Sequence, residues 1–423
     1  MKIVVSAYEC NPLRGSDSFV GWSYIINAAK YNEIYAFTRT QNKKDIEYYL
    51  TMHEVPYISN IHFVYVDQSA FFTKILYKLN HYLGFLGSYV IWQSSIYKRA
   101  KRMHKNVRFD VAHHISIADY RVAGKLWKLN IPFILGPVGG AQITPDALRS
   151  YTKGYEKSER IRELLNRYMV RMPSYKRAVN NAKYVFASND ETANAIKAVI
   201  SESNRWKVIQ KTELCINKEY LIERESLTHD MPDNETVHII VSGRLIYRKG
   251  ISLLLDAVEK VRTKNNYVVD IYGDGPQYKY LENVIHEKRI SSNVILHGKV
   301  DFAELQKRYK TSDILILPSL RETTGTAVVE AMANKLPIIS LNQNGVKSLV
   351  GSEAGILVNI NTKEQIVSDL TKAVEKLVDN PELRLKYGNR AFSIIKEKYT
   401  WDRRAEEMND LYVELCREDI KSR

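Results

Sequence analysis

Cysteine is almost absent: Cys10, Cys215 and Cys416 are the only three in 423 residues. An odd, scattered set makes neither a disulfide framework nor a spaced zinc site, and it suits a reducing compartment. No run of about 18 uncharged apolar residues occurs, which excludes a membrane-spanning helix. The opening stretch Met1–Tyr8 is too short an apolar segment for a signal peptide and reads as a buried first strand. Internal repeats and low-complexity segments are also missing. What remains is ordinary globular material, 45% hydrophobic and 26% charged, which argues against a disordered or fibrous chain. The length exceeds the roughly 250–300 residues at which single cores stop growing, so two domains are expected.

Acidic residues are scarce in one half only. Residues 1–200 hold 28 Lys/Arg against 15 Asp/Glu, whereas residues 201–423 hold 34 against 33. A one-sided positive field implies an anionic partner: a membrane surface, nucleic acid or a phosphorylated substrate. The alternative is a solvated basic surface.

The first half reads as short buried strands at Ile3–Ala7, Ile34–Thr38, His62–Val66, Val111–His114, Phe133–Leu135 and, last, Val185–Ala187. Helical stretches lie between them, with Trp22, Ile25, Ile26 and Ala29 on one face of the first; the rhythm is that of parallel βαβ units. Residues 71–104 break it. Aromatics and leucines there mix with lysines and end in Lys98, Arg99, Lys101 and Arg102. That composition suits an interfacial helix at a membrane; a pair of ordinary helices with snorkelling lysines is the other reading. Residues 151–177 form a second basic helical stretch, and the domain boundary is expected near 205–235. The second half alternates more cleanly: strands at Val237–Ser242, Val268–Tyr272, Val294–His297, Ile314–Pro318 and Pro337–Leu341, helices at Gly250–Lys264, Tyr278–Lys288, Phe302–Lys310, Thr326–Asn334, Thr362–Val378 and Pro381–Lys398. This is the pattern of a doubly wound α/β domain.

Such domains bind ligands outside the carboxyl ends of their strands. Four post-strand loops therefore matter. Ser242–Gly250 places Arg244 and Lys249 beside a helix start, which suits a diphosphate. Tyr272-Gly273-Asp274-Gly275-Pro276 allows close backbone approach, although it is also ordinary turn chemistry. His297-Gly298-Lys299-Val300 leaves room for a flat ring. Pro318–Ala333 is the most specific: Glu322 lies in the loop, the amides of Gly325, Thr326 and Ala327 open a helix, and Glu330 follows about two turns later. Free amides hold phosphate oxygens, and carboxylates accept from vicinal hydroxyls.

Taken in order, Gly-Arg-x4-Lys-Gly at 243–250, Gly-Asp-Gly-Pro at 273–276, Pro-Ser-x2-Glu-x2-Gly-x4-Glu-Ala-Met-Ala at 318–333 and Pro-Ile-Ile-Ser at 337–340 resemble the donor domain of the GT-B glycosyltransferases of family 4. The loop 11–16, Gly136-Pro137-Val138-Gly139-Gly140 and Tyr399-Thr400-Trp401 extend the resemblance over nearly the whole chain, more weakly. It implies an α/β GT-B fold, two Rossmann-like doubly wound domains facing across a cleft. The acceptor domain would cover 1–205, completed by a final helix at about 400–423, and the donor domain 206–399.

The resemblance further implies that Arg244 and Lys249 hold the donor diphosphate and stabilise the leaving nucleotide. Glu330 would bind the ribose hydroxyls, and Glu322 the donor sugar near the reacting carbon. Thr324, Gly325, Thr326 and Ala327 would meet sugar and phosphates, Gly273 would lie close by, and Lys299 and Val300 would flank the base. Gly15 and Ser16 would close over the donor. The family is metal-independent, and the absence of an Asp-x-Asp motif agrees; no cofactor is expected beyond the nucleotide-sugar substrate. Two departures stand out. In Asp110-Val111-Ala112-His113-His114-Ile115 an isoleucine takes the place of a family histidine, leaving His114, then His113, as the nearest sugar-contacting candidates. At 344–349, Asn-Gly-Val-Lys-Ser-Leu replaces a glycine pair and a glutamate.

The expected function is a retaining glycosyltransferase moving a hexose from a UDP- or GDP-linked donor to a glycan or lipid-linked glycan, in cell-surface polysaccharide synthesis. It would be cytoplasmic and peripheral on the inner face of an anionic membrane. A GT-B nucleotide-sugar epimerase and a basic membrane-binding protein without transfer activity are the alternatives. No nucleic-acid-binding motif is present.

Overall fold

The computed structural model describes residues 1–15, 17–67, 81–115, 117, 119–226 and 236–422. Ser16 and the stretch 71–80, both singled out above, lie outside these. The chain divides into two compact units. The first is made of Met1–Ala141 and Glu163–Glu213 together with the C-terminal helix Trp401–Ser422; the second comprises Gln142–Arg162 and Leu214–Thr400.

The first unit holds seven parallel strands: β1 Lys2–Ser6, β2 Glu33–Arg39, β3 Ile61–Val66, β4 Val111–His114, β5 Phe133–Val138, β6 Tyr184–Ala187 and β7 Val208–Gln210, in the order β3-β2-β1-β4-β5-β6-β7. The inner strands are near-continuous apolar runs, as sheets covered on both faces require. The strand expected to be last, Val185–Ala187, is not: β7 follows it, three residues long and with only Val208 buried, too short and too polar to stand out in the sequence.

The second unit holds β8 Val237–Ser242, β9 Tyr267–Tyr272, β10 Val294–Gly298, β11 Ile314–Leu317, β12 Ile338–Leu341 and β13 Gly355–Val358, all parallel, in the order β10-β9-β8-β11-β12-β13. Order reverses between β8 and β11, the switch point at which doubly wound sheets bind ligands. The covering helices follow their sequence signals closely. Lys363–Val378 buries Ile366, Val367, Leu370, Val374 and Leu377 at helical spacing, and its Thr362 cap accepts from the Gln365 amide at 3.3 Å. Pro381–Lys398 begins with proline at its first position, under an Asn380 cap that accepts from the Leu383 amide at 2.9 Å. The helix expected at Gly250–Lys264 is shorter, Ile251–Val258, because the chain tightens into a turn after Val258, where the Lys260 and Val261 amides donate to the Ala257 and Val258 carbonyls at 3.0 and 3.1 Å.

Two expectations need correction. Residues 142–162 belong to the second unit although they precede β6, and residues 206–213 belong to the first. The cause is packing. Leu148 is fully buried in the second unit's core, and the Tyr151 hydroxyl donates to Asp256 at 2.6 Å, while β7 extends the first sheet. The second correction concerns the segment read as a membrane-interface helix. Its described part, the helix His81–Val107, buries Leu86, Tyr89, Trp92, Ile96 and Ala100 in the first unit's core. The Trp92 indole donates to the Val66 carbonyl at 3.1 Å. That apolar stripe covers the sheet and is not open to lipid. No helix among the described residues is long and apolar enough to cross a membrane.

Candidate functional site

The loops after β8 and β11 meet at the switch point of the second sheet. Three features force them together. The Leu320 amide donates to the Arg248 carbonyl at 2.8 Å. Gln343 reaches from the far side, its side-chain amide donating to the Ser319 and Leu320 carbonyls at 3.1 and 2.9 Å. Gly250 adopts φ +67° with its Cα against the Pro318 carbonyl; a Cβ there would lie 2.0 Å from that oxygen. Only glycine accommodates both the left-handed backbone and the contact.

Glu322 is the centre of this junction. Its carboxylate bonds the Lys249 ammonium, accepts from Ser319 Oγ at 3.3 Å and lies 3.4 Å from Arg248 Nη1. Its backbone amide donates to Asn344 Oδ1 at 2.9 Å. Burial alone would raise the Glu322 pKa, but Lys249 and then Arg248 outweigh it and hold the carboxyl at about 2. The ammonium has three donors, so Lys249 can keep Glu322 and still turn to a phosphate. Arg244 is exposed and shares a cleft of about 10 Å³, the space of one water, with Gly243 and Lys249. The structure thus brings Arg248, not Arg244, onto Glu322.

Glu330 occupies the opposite electrostatic setting. It lies on the helix Thr326–Ala333, between buried Val329 and Ala331, and its bonded neighbour is the Tyr309 hydroxyl, itself 2.6 Å from Ser242 Oγ. Burial without a cation raises its pKa to about 7. The folded state therefore keeps a proton that the unfolded chain releases near 4.5. Its stabilising share is full below pH 4.5 and is lost as the pH rises to about 7, an effect of at most about 3 kcal/mol before solvent screening. Glu330→Gln should flatten the fall in melting temperature over that window; an unchanged profile would show that Glu330 titrates normally.

Thr324 and Gly325 are buried, and Gly325 turns the chain into the helix at φ +94°. The first-turn amides, Thr326 and Ala327 included, have no preceding turn to bond. Gly273 donates its amide to the Gly298 carbonyl at 2.8 Å, which places the loops after β9 and β10 side by side. Lys299 beyond them is exposed and Val300 half-buried. Asp270 bridges two histidines here: His297 Nε2 at 2.6 Å and His238 Nδ1 at 2.9 Å.

The segment 142–162 adds residues that the sequence does not point to. Glu159 is buried and receives Arg321 Nε at 3.1 Å and Nη2 at 2.7 Å, plus the Tyr247 hydroxyl at 2.5 Å. Gln142 donates to Thr323 Oγ1 at 2.9 Å. Arg321 and Thr323 flank Glu322, and Tyr247 belongs to the turn that carries Arg248 and Lys249. Glu159 therefore fastens both loops. No local signal could have found it, since it is 162 positions from Arg321.

Of the first-unit candidates, Gly15 is exposed, and a Cβ there would meet nothing within 4 Å. His114 is buried, its Nε2 2.7 Å from the Tyr89 hydroxyl, and burial lowers its pKa to about 4. His113 is a core residue, bonded to the Gly136 carbonyl at 2.8 Å and to the hydroxyls of Tyr24 and Tyr412 at 2.9 and 2.6 Å. Among the described residues, no cluster of three His, Cys, Asp or Glu side chains suits a metal ion.

Residues 224–393, most of the second unit, match the model of glycosyl transferases group 1. That stretch of the chain is similar to a glycosyltransferase domain. Two uncharacterized glycosyltransferases of Methanocaldococcus jannaschii are similar. One is 30% identical over 43% of this chain and 45% of its own length; the other is 24% identical over 88% and 91%. The poly(ribitol-phosphate) alpha-N-acetylglucosaminyltransferase of Staphylococcus aureus is 26% identical over 52% of this chain and 45% of its own. The chain thus spans about half the length of the first and last of these relatives. Among solved structures, Anabaena HepE in complex with UDP shares the fold over 98% of this chain and all of its own, with TM-score 0.62 at 14% identity. The glycosyltransferase fold is accordingly GT-B, two parallel sheets flanked by helices.

Proposed function

We propose that the protein is a metal-independent, retaining glycosyltransferase of family 4. It moves a hexose from a nucleotide-diphosphate sugar to a hydroxyl of a glycan or lipid-linked glycan in cell-surface polysaccharide synthesis. The observation that carries the reading is the junction of Lys249, Arg248 and Glu322 at the second sheet's switch point, with Glu330 on the helix that starts beside it. Lys249 and Arg244, joined by Arg248, neutralise the charge that gathers on the diphosphate as the bond to the anomeric carbon breaks. The Thr326 and Ala327 amides hold sugar and phosphate oxygens. Glu330 accepts from the ribose hydroxyls, and Glu322 fixes the sugar while restraining Lys249. The fold-sharing Anabaena protein holds UDP, which makes UDP the first nucleotide to test.

The acceptor falls to the first, basic unit, and the staphylococcal relative's named acceptor is a polyanion. Contact with an anionic membrane is part of the proposal. Ile161, Leu164 and Tyr168 stand exposed at turn spacing on the helix Glu156–Met169, with Lys157, Arg160 and Arg167 beside them; basic residues near such a surface contribute about 1 kcal/mol each.

Calorimetry with UDP, GDP, ADP and CMP in EDTA tests the donor site. One diphosphate should bind selectively, and the binding should be lost in Lys249→Ala. Product analysis with the matching UDP- or GDP-hexose should show transfer only when acceptor is added. Binding that requires a divalent ion would overturn metal independence, and a converted sugar nucleotide without acceptor would make the protein an epimerase.

A further inference from the structure

Strand order in the first sheet reverses between β1 and β4, which marks a second switch point, in the unit given to the acceptor above. A cavity of about 150 Å³ opens there. Its position is fixed by two contacts. Gln93, in its wall, donates to the hydroxyl of Ser6, the last residue of β1, at 3.1 Å. Gly124, also in its wall, leaves no room for a side chain, since a Cβ would lie 2.6 Å from Nδ1 of His114, the last residue of β4.

Four cations line the cavity: Arg121, Lys125, Lys128 and Arg177. Asp119 binds Arg121, with Nε to Oδ1 at 2.7 Å. Among the described residues no carboxylate forms an ion pair with Lys125, Lys128 or Arg177. Lys125 instead donates to Ser94 Oγ at 2.5 Å. Its pKa is lowered by burial first and then by the like charges of Lys128 and Lys98. Tyr175 forms part of the wall too, and its phenol oxygen is buried with no hydrogen-bond partner among the described residues. A buried hydroxyl without a partner is unfavourable, and three cations without a counterion repel. Both penalties disappear if an anion with hydrogen-bonding oxygens enters. The rest of the wall, Trp127, Met169 and Met172, is apolar and adaptable.

We propose that this cavity is a subsite for a phosphate group carried on an apolar chain. Phosphoryl oxygens would take Lys125, Lys128, Arg177 and the Tyr175 hydroxyl, and the indole and thioethers would take the first atoms of the chain. The subsite deepens the reading of the first unit as the acceptor domain and rests on it. It assigns the acceptor a chemical class: an amphipathic phosphate or diphosphate ester.

The test uses the full chain and three probes at low ionic strength, each below its aggregation limit: octyl phosphate, octyl glucoside and inorganic phosphate. Calorimetry should show octyl phosphate binding at least about tenfold tighter than either of the others. A Lys128→Glu/Arg177→Glu variant alters two exposed, unpaired cations and should melt as the wild type does. It should lose octyl phosphate binding by about tenfold or more. Tyr175→Phe, which removes only the hydroxyl, should weaken it about threefold to tenfold. Equal binding of octyl glucoside, or full binding by the charge-reversed variant, overturns the proposal. Inorganic phosphate binding as tightly as the ester overturns its apolar half. UDP binding is measured on the same samples. If UDP fails to bind while the octyl phosphate pattern holds, the transferase reading falls and the phosphate subsite stands.

Discussion

Lys249→Ala should lower kcat/KM for transfer by about 10²- to 10³-fold, the cost of removing one preorganised partner of a developing oxyanion. It should also lower stability. Lys249 and Glu322 are both largely buried, at 16% and 12% side-chain exposure, and a buried charge stripped of its partner costs about 3–5 kcal/mol. Arg248, 3.4 Å from the same carboxylate, offsets part of that. The two effects separate in a double variant. Lys249→Ala/Glu322→Gln removes the orphaned charge, so it should recover most of the lost melting temperature and none of the activity. Steady-state kinetics with thermal melting of the three proteins decides the matter. A single variant with near-normal kcat/KM would remove Lys249 from the reaction, and recovery of activity in the double variant would show that the lysine acts only by neutralising Glu322.

Glu159→Ala should have the second largest effect. Arg321 is 14% exposed and its bidentate partner Glu159 is 6% exposed, so the truncation should destabilise the second unit by about 3–5 kcal/mol. Glu159→Gln keeps hydrogen-bonding atoms toward Tyr247 and Arg321 and should cost distinctly less. Because Glu159 joins the turn carrying Lys249 to the loop carrying Glu322, its loss should raise KM for the donor more than it lowers kcat. The ion pair also has a pH signature. Burial opposes ionisation of Glu159, but Arg321 prevails and its pKa is lowered. Its contribution is therefore present above the ordinary carboxylate range and fades as the pH falls through it. Urea unfolding of both variants at pH 7 and below pH 4 tests this. A Glu159→Ala protein as stable as the wild type at pH 7 would show that Arg321 finds another partner.

How far the sequence carries depends on whether the information is local. Lys249, Glu322 and Glu330 are legible because each sits at a set offset from a strand end, and strand, loop and helix lie within about 16 residues. Arg248 is not legible as the cation that meets Glu322. It and Arg244 occupy the same loop, and only the single turn Tyr247–Lys249 decides which side chain turns inward. The opposed pKa shifts of Glu322 and Glu330 are likewise out of reach of sequence, because they depend on which cations the fold brings to the first and withholds from the second. Short strands such as β7 fail for want of periodicity. The helix His81–Val107 was ambiguous for a different reason: an apolar stripe with basic ends satisfies a lipid surface and a protein core equally, and only packing chose the core. Glu159 and the whole of 142–162 are invisible to any local rule.

That excursion of residues 142–162 also governs biosynthesis. The ribosome delivers them before the strands they pack on, and the second unit's last sheet strand ends only at Val358. Leu148 must therefore wait exposed through more than a third of synthesis. The first unit waits longer still, since Tyr412 and Trp401 reach its core only with the final helix. The second unit is complete once Thr400 is made, so a stop codon just before Trp401 should leave its core whole and strip Trp401 and Tyr412 from the first unit.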